Sequence, residues 1–282
     1  MASITTSPSD RISDPVLLGG SGRLARMLRA HWPGALSVQS RGGAPGTRRI
    51  DPLADPEGLA AFVRGKGDII CMAGVTPAHA AATDDALSLN SDLALAAIAA
   101  AGPGQRVFVM SSAAVYGRSD AAHKETDTPQ PLSEYGAAKM QMERVALARG
   151  GPRVCVLRIG NVVGADAIVG GWAPGMTLHV TPDGQTLTRS YIGPVGLARC
   201  LHALTQVPEL PDILNVTAPV PVRMGDLLDA AGMAWSPLPA PAGAIANVTL
   251  DHRRLSQYVQ FDPAASTARD MIAQWREGTD TA

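Results

Sequence analysis

Cysteine is scarce in this chain: three in 282 residues, at Cys71, Cys155 and Cys200, each inside an apolar run and none in CxxC or other metal-ligand spacing. That excludes a disulfide framework and a cysteine-built metal centre, and leaves the thiols as reduced core residues of a cytoplasmic protein. The six histidines are scattered without a pair at helical or metal-ligand spacing, so no metal site is expected. Net charge is nearly absent, −1 with both signs dispersed, which gives no electrostatic footprint for nucleic acid or an anionic membrane. The basic pairs Arg48-Arg49 and Arg253-Arg254 are too short to make one. Long hydrophobic runs are missing as well. The alanine-rich stretch after Asp92 is broken by Gly102-Pro103-Gly104 before it is long enough to span a bilayer. Residues 1–12 are polar, rich in Ser and Thr, and lack the basic start and apolar run of a signal peptide; they read as a disordered leader.

What is present is alternation. Apolar runs at Val16-Leu18, Ala35-Gln39, Arg49-Ile50, Asp68-Met72 and Val107-Met110 read as strands. Between them helical spacing appears at Leu24-Ala30, at Pro56-Arg64 with Asp55 as cap, and at Asp85-Ala101. A helix over Ser133-Arg149 and a strand over Arg153-Ile159 continue the series. This pattern predicts an α/β fold: a doubly wound parallel sheet with helices on both faces. After Ile159 the rhythm breaks into Gly-, Pro- and Thr-rich loops with short strands. Helical spacing returns at Leu197-Thr205, Met224-Ala231 and Ala265-Trp275, a strand at Ile213-Val216, and Trp235-Ala246 reads as an uncharged loop. We therefore expect a core over residues 13–160 and a mixed segment, 161–282, that completes the sheet and forms a small lobe over its carboxyl edge, where ligands of such sheets bind.

Three motifs carry chemistry. Gly19-Gly-Ser21-Gly22-Arg23-Leu24-Ala25 follows the first strand and opens the first helix; Gly19 allows a tight turn, and Gly22 lets a pyrophosphate approach the helix N-terminus. The second strand ends in Ser40-Arg41-Gly42-Gly43, where a carboxylate would bind the ribose 2′-hydroxyl of NAD. A hydroxyl, a guanidinium and flexible backbone suit a phosphate instead, so NADP is favoured and NAD is the alternative. Downstream, Val109-Met110-Ser111-Ser112 presents two hydroxyls at a strand end, and Tyr135-Gly-Ala-Ala-Lys139 sets a phenol and an ammonium on one helix face. A fixed cation beside a phenol lowers its pKa from about 10 toward 7, the value proton exchange at neutral pH requires.

In this order, the parts resemble the extended short-chain dehydrogenase/reductase family, in its NAD-dependent epimerase/dehydratase branch, from about Val16 to Trp275. The resemblance implies a Rossmann-type fold with Ser112, Tyr135 and Lys139 catalytic: Tyr135 exchanges the proton, Lys139 binds the nicotinamide ribose, and Ser112 orients the reacting oxygen. It also implies that Asp51 and the adjoining Pro52 contact the adenine, and that Met72-Ala73-Gly74 and Asn90 line the cofactor. Met110, Ser111 and Ile159 border the same cofactor cleft. Asn161 and the arginine of Arg189-Ser-Tyr-Ile192 would meet substrate, the arginine at a phosphate.

Two departures bear on the reaction. Ala113-Ala114 stand where dehydratases of this branch carry Asp-Glu, which disfavours dehydration. Pro237 to Ala246 lacks the arginine that usually grips a nucleotide-sugar diphosphate. The expected function is an NAD(P)-dependent epimerase or oxidoreductase acting by hydride transfer at a hydroxyl or carbonyl carbon of a sugar or sugar nucleotide. An NADPH-dependent reductase of a small ketone or aldehyde is the alternative, and a non-catalytic dinucleotide-binding regulator a third reading. The partner is a small-molecule substrate, and the helices near Asp85-Ala101 and Tyr135 are able to pair in a homodimer.

Overall fold

Val16, Leu17 and Leu18 point alternately to opposite faces and all are buried, so their strand must be covered on both sides. The computed structural model describes residues 14–149 and 153–279; the leader expected over 1–12 lies outside the described residues. In it β1 (Val16–Leu18) sits inside a seven-stranded parallel sheet. The other strands are β2 (Ser37–Ser40), β3 (Arg48–Arg49), β4 (Ile69–Cys71), β5 (Arg106–Ser112), β6 (Arg153–Ile159) and β7 (Ile213–Val216). Their spatial order is β7-β6-β5-β4-β1-β2-β3. The chain lays down β1, β2 and β3 in one direction, then returns to the other side of β1 for β4. The crevice at the carboxyl ends of β1 and β4 is therefore the topological switch point.

Helices cover both faces as the alternation predicts. On one side α1 (Arg23–Ala30) and α6 (Pro194–Gln206) cover a core of Leu17, Leu28, Ile70, Phe108, Leu157 and Leu201. On the other, α2 (Pro56–Val63), α4 (Leu89–Ala100) and α5 (Glu134–Ala148) bury Val16, Leu18, Leu59, Ile69, Val109 and Met142. Helix starts follow local chemistry. Asp55 accepts from the Gly58 amide at 2.8 Å ahead of Pro56, and Ser133 accepts from Gly136 at 3.1 Å to open α5.

Beyond β6 the pair Asn161–Val162 and Tyr191–Ile192 and the helices α7 (Met224–Ala231) and α8 (Ala268–Thr279) form the smaller lobe. Its core gathers Val163, Leu178, Tyr191, Leu227, Leu228, Met271 and Ile272. Two expectations change. The helix predicted from Asp85 begins only at Leu89, and a separate short helix, α3 (Pro77–Ala82), precedes it, because Thr76 caps α3 and Thr83 ends it. The stretch predicted as a loop from Trp235 contains a strand, Ser236–Pro239, parallel to Thr177–Val180. Its two prolines are tolerated because it pairs on one side only.

The turn between β1 and α1 is closely packed at the switch point. Gly19 has φ +83°, and a Cβ added there would lie 2.5 Å from the Ala73 amide nitrogen, at the end of β4. Neither the backbone angle nor the neighbouring main chain can yield cheaply. Gly19→Ala is expected to cost about 1–3 kcal/mol, seen as a lower midpoint in urea or thermal denaturation; an unchanged midpoint would mean that β4 moves away freely.

Candidate active site

The site grows from the carboxyl edge of the sheet. At the β1–α1 turn the Gly19 amide donates to Gln39 Oε1 at 3.0 Å and the Gly20 amide to the Gln39 carbonyl at 2.8 Å, so β2 holds the turn in place. Gly22 begins α1 and no side chain caps it. A Cβ added at Gly22 would meet only the Gly19 carbonyl, at 3.6 Å, so the turn is open where the first amides of α1, those of Arg23 and Leu24, lack intrahelical partners. Free amides on an open turn at a helix N-terminus fit a pyrophosphate. Ser21 is exposed beside it, its carbonyl held by Arg26 at 2.5 Å.

At the far end of the cleft β5 delivers Ser112, whose Oγ accepts from the Ala114 amide at 3.1 Å and lies close enough to Tyr135 to act on its phenol. Tyr135 reaches it because α5 packs closely on the turn Ala113–Val115: a Cβ at Gly136 would lie 2.1 Å from the Ala114 carbonyl. One turn on, the buried Lys139 ammonium donates to the Met110 carbonyl at 2.9 Å and stands 5.8 Å from the centre of the Tyr135 ring. The three residues expected to be catalytic are thus brought together. Their electrostatics differ from expectation. Burial raises the Tyr135 pKa, and the neighbouring Ser112 hydroxyl only partly opposes it. Burial in turn lowers Lys139 to about 8.

Beneath this trio lies a buried polar network that sequence reading missed. Arg158 of β6 grips Glu143 of α5 through Nε at 3.1 and 3.2 Å and Nη2 at 2.8 Å, both side chains being nearly inaccessible. Glu143 also accepts from Ser111 Oγ at 2.5 Å. Arg158 Nη1 donates to Tyr116 Oη at 2.9 Å, and that phenol donates to Asn215 Oδ1 of β7 at 2.8 Å. Glu143 is four residues beyond Lys139 on one helix face, and Arg158 lies in an apolar strand; that spacing was the available signal.

Several residues expected at the cofactor are engaged elsewhere. Ser40 is fully buried, its hydroxyl 2.6 Å from Thr47 Oγ1 and accepting from the Gly43 and Ala44 amides at 3.0 Å each, so it shapes the loop after β2 and does not face the cleft. Ser111 points inward to Glu143. Asn90 is buried, bonding Val75 and Leu87, and clamps the segment after β4; its Oδ1 would lie 2.6 Å from a Cβ at Gly74. Asp51 Oδ1 accepts from Leu53 and Ala54, and Pro52 is buried. Met72 and Ala73 are half-buried beside Gly19, whereas Met110 and Ile159 are buried core residues, Met110 serving through its carbonyl. Arg41 is exposed and shares its Nη2 with Asp85 Oδ2 at 3.0 Å.

On the lobe side Asn161 is half-buried at the end of β6. Arg189 donates to the carbonyls of Thr188, Ala246 and Ile245 at 2.7, 3.0 and 3.1 Å; among the described residues no carboxylate pairs with it. The cysteines are free and buried, their thiols raised by burial to about 11 at Cys71 and about 12 at Cys155 and Cys200. Among the described residues there is no metal-binding cluster and no helix long and apolar enough to cross a membrane.

An open glycine turn at the switch point of a parallel sheet, with a hydroxyl, a phenol and an ammonium along the same edge, defines a Rossmann-type α/β protein built for a dinucleotide. The model of the NAD dependent epimerase/dehydratase family matches residues 40–181, half of the chain, and the chain belongs to that family. It is similar in fold to UDP-glucose-4-epimerase from Stenotrophomonas maltophila with bound NAD and formylated UDP-arabinopyranose, at 18% identity and TM-score 0.73, covering 96% of this chain and 100% of that one. MoeE5 in complex with UDP-glucose and NAD matches at 20% identity and TM-score 0.70, covering 94% and 99%. A dTDP-glucose 4,6-dehydratase from Streptomyces venezuelae, DesIV, with NAD and DAU bound, matches as a double mutant at 18% identity and TM-score 0.67, covering 95% and 98%. No curated protein matches the chain. The dinucleotide named in all three structures is NAD, and nothing in them supports a preference for NADP.

Two measurements check this anatomy. Glu143→Gln leaves Arg158 as an uncompensated buried cation and is expected to cost about 3–5 kcal/mol in urea unfolding. Lys139 releases its proton at about 8 in the folded state against its ordinary 10.5, so above pH 8 the unfolded chain holds the extra proton and stability rises with pH through this group. The stability difference between Lys139→Met and the unmodified protein should therefore narrow between pH 8 and 10.5; a pH-independent difference would place the lysine pKa near its ordinary value.

Proposed function

We propose that the chain is an NAD(P)-dependent enzyme that oxidises or reduces a carbinol or carbonyl carbon, acting as an epimerase or oxidoreductase on a sugar or sugar nucleotide. The closeness of Ser112 to Tyr135, with Lys139 one turn below and the open glycine turn on the same sheet edge, carries this reading. Gly19, Gly22 and the amides of Arg23 and Leu24 would hold the pyrophosphate, and Met72, Ala73 and Gly74 would line the cleft beside it. The dinucleotide supplies hydride exchange at the reacting carbon when bound. Ser112 then orients the substrate oxygen and Tyr135 moves the proton. Because burial holds the phenol above its ordinary pKa, Tyr135 rests protonated at neutral pH, the form that donates to a carbonyl oxygen. Lys139, with three donors of which one bonds the Met110 carbonyl and one reaches Met142 Sδ at 3.8 Å, keeps a donor for a ribose hydroxyl.

Ala113 and Ala114 offer no acid or base beside Ser112, which supports epimerisation or reduction over loss of water. A second reading, reduction of a small ketone or aldehyde, draws support from Arg189: its guanidinium is tied to the carbonyls of Thr188, Ile245 and Ala246, and Pro237 to Ala246 carries no second cation for a diphosphate. Exposed Ala99, Ala137 and Leu147 on α4 and α5 suit a homodimer through those helices, and three free buried cysteines suit a reducing compartment such as the cytoplasm.

Tyr135→Phe tests the reading directly. It should abolish turnover of sugar nucleotides or small ketones while the dissociation constant for the dinucleotide, followed by fluorescence, stays within about threefold. Retained turnover would remove the phenol from the mechanism.

A further inference from the structure

The loop after β2 and the segment after β4 meet across the end of β1. The sheet order β4-β1-β2 sets both beside the strand that leads into the glycine turn, and one contact joins them. That contact is Arg41 Nη2 to Asp85 Oδ2, 3.0 Å. Asp85 is set there by its own segment. The Thr83 hydroxyl donates to the His79 carbonyl at 3.0 Å and accepts from the Asp85 amide at 3.2 Å, while His79 Nε2 lies 2.8 Å from the same Oδ2. The second oxygen, Oδ1, takes no partner among the described residues, and the side chain is 24% exposed. The hydrogen bonds from His79 and Arg41 hold the carboxyl below the usual carboxylate range, so it is an anion at neutral pH.

The position is informative because β2 ends without an acid. In doubly wound sheets the residue about 20 positions past the glycine turn meets the adenosine ribose: a carboxylate there binds the 2′-hydroxyl and repels a 2′-phosphate, and an arginine accepts the phosphate. Here Arg41 occupies that place, but its Nη2 is shared with the Asp85 carboxylate, whose charge opposes an anion brought to the same guanidinium. We propose that Asp85, reaching in from the segment after β4, supplies the carboxylate missing from β2 and selects the unphosphorylated dinucleotide. Its free Oδ1 accepts from a ribose hydroxyl, and its charge opposes a 2′-phosphate. This rests on the reading that the cleft above Gly19 takes a nicotinamide dinucleotide. It also reverses the preference that Arg41 suggests in the sequence.

The test is a fluorescence titration of NADH and NADPH against the unmodified protein, Asp85→Asn, and Asp85→Asn combined with Arg41→Ala, with a thermal melt of each to confirm folding. The unmodified protein should bind NADH more tightly than NADPH. Asp85→Asn should move the ratio of the two dissociation constants toward NADPH by about tenfold or more, since it removes the opposing charge and releases Arg41. The double variant should lose that gain. An unmodified protein that prefers NADPH, or an Asp85→Asn variant in which both constants change equally, overturns the selector role while leaving the dinucleotide site standing. Binding of neither dinucleotide to the unmodified protein overturns the reading of the cleft itself.

Discussion

The ion pair between Glu143 and Arg158 is the joint on which the site depends. It ties α5 to β6, takes in Ser111 of β5, and through Tyr116 reaches Asn215 of β7. A buried pair of this kind is not a strong source of net stability, since desolvation offsets much of the attraction. Its value here is geometric. With every polar atom partnered, α5 has one rotational setting against the sheet, and that setting puts Tyr135 beside Ser112 and Lys139 under Met110. The neighbouring serines divide the work: Ser111 turns inward to fasten the strand, and Ser112 turns outward to the phenol.

The same logic governs the other end of the cleft. Ser40, Asn90 and Gln39 are buried polar groups that bind main chain, so the loops after β2 and β4 are built before any ligand arrives. What remains available is backbone at the glycine turn and the charges of Arg41 and Asp85. In the proposed reading, main-chain amides would meet the pyrophosphate and the Arg41–Asp85 pair would meet the ribose.

Most of the fold was legible because its signals are local. Strand and helix alternation, Asp55 before Pro56, and Ser133 ahead of Tyr135 each act within one turn of chain, and the observed elements fall within a few residues of those expected. The start of α4 was misjudged because apolar spacing continues through Asp85, whereas Thr83 stops the preceding helix by hydrogen bonding its carbonyl. The strand at Ser236–Pro239 was hidden by its prolines, which forfeit a ladder donor and survive only where pairing is on one side. The grouping of Ser112, Tyr135 and Lys139 was legible from spacing, Tyr135 and Lys139 at one helix turn and Ser112 at a strand end. Arg158 was not, since a charge inside an apolar strand gives no hint of which carboxylate will meet it.

By itself the sequence determined the parallel sheet, the glycine turn that follows its first strand, and the shared helix face of phenol and amine, all consequences of backbone geometry and side-chain period. Only the tertiary structure decided the charge states and pairings: that Lys139 faces Met110, that Ser111 is withdrawn to Glu143, and that Arg41 is answered by Asp85 from 44 residues away. Electrostatics depends on distance and burial in three dimensions, and neither is a property of neighbours along the chain.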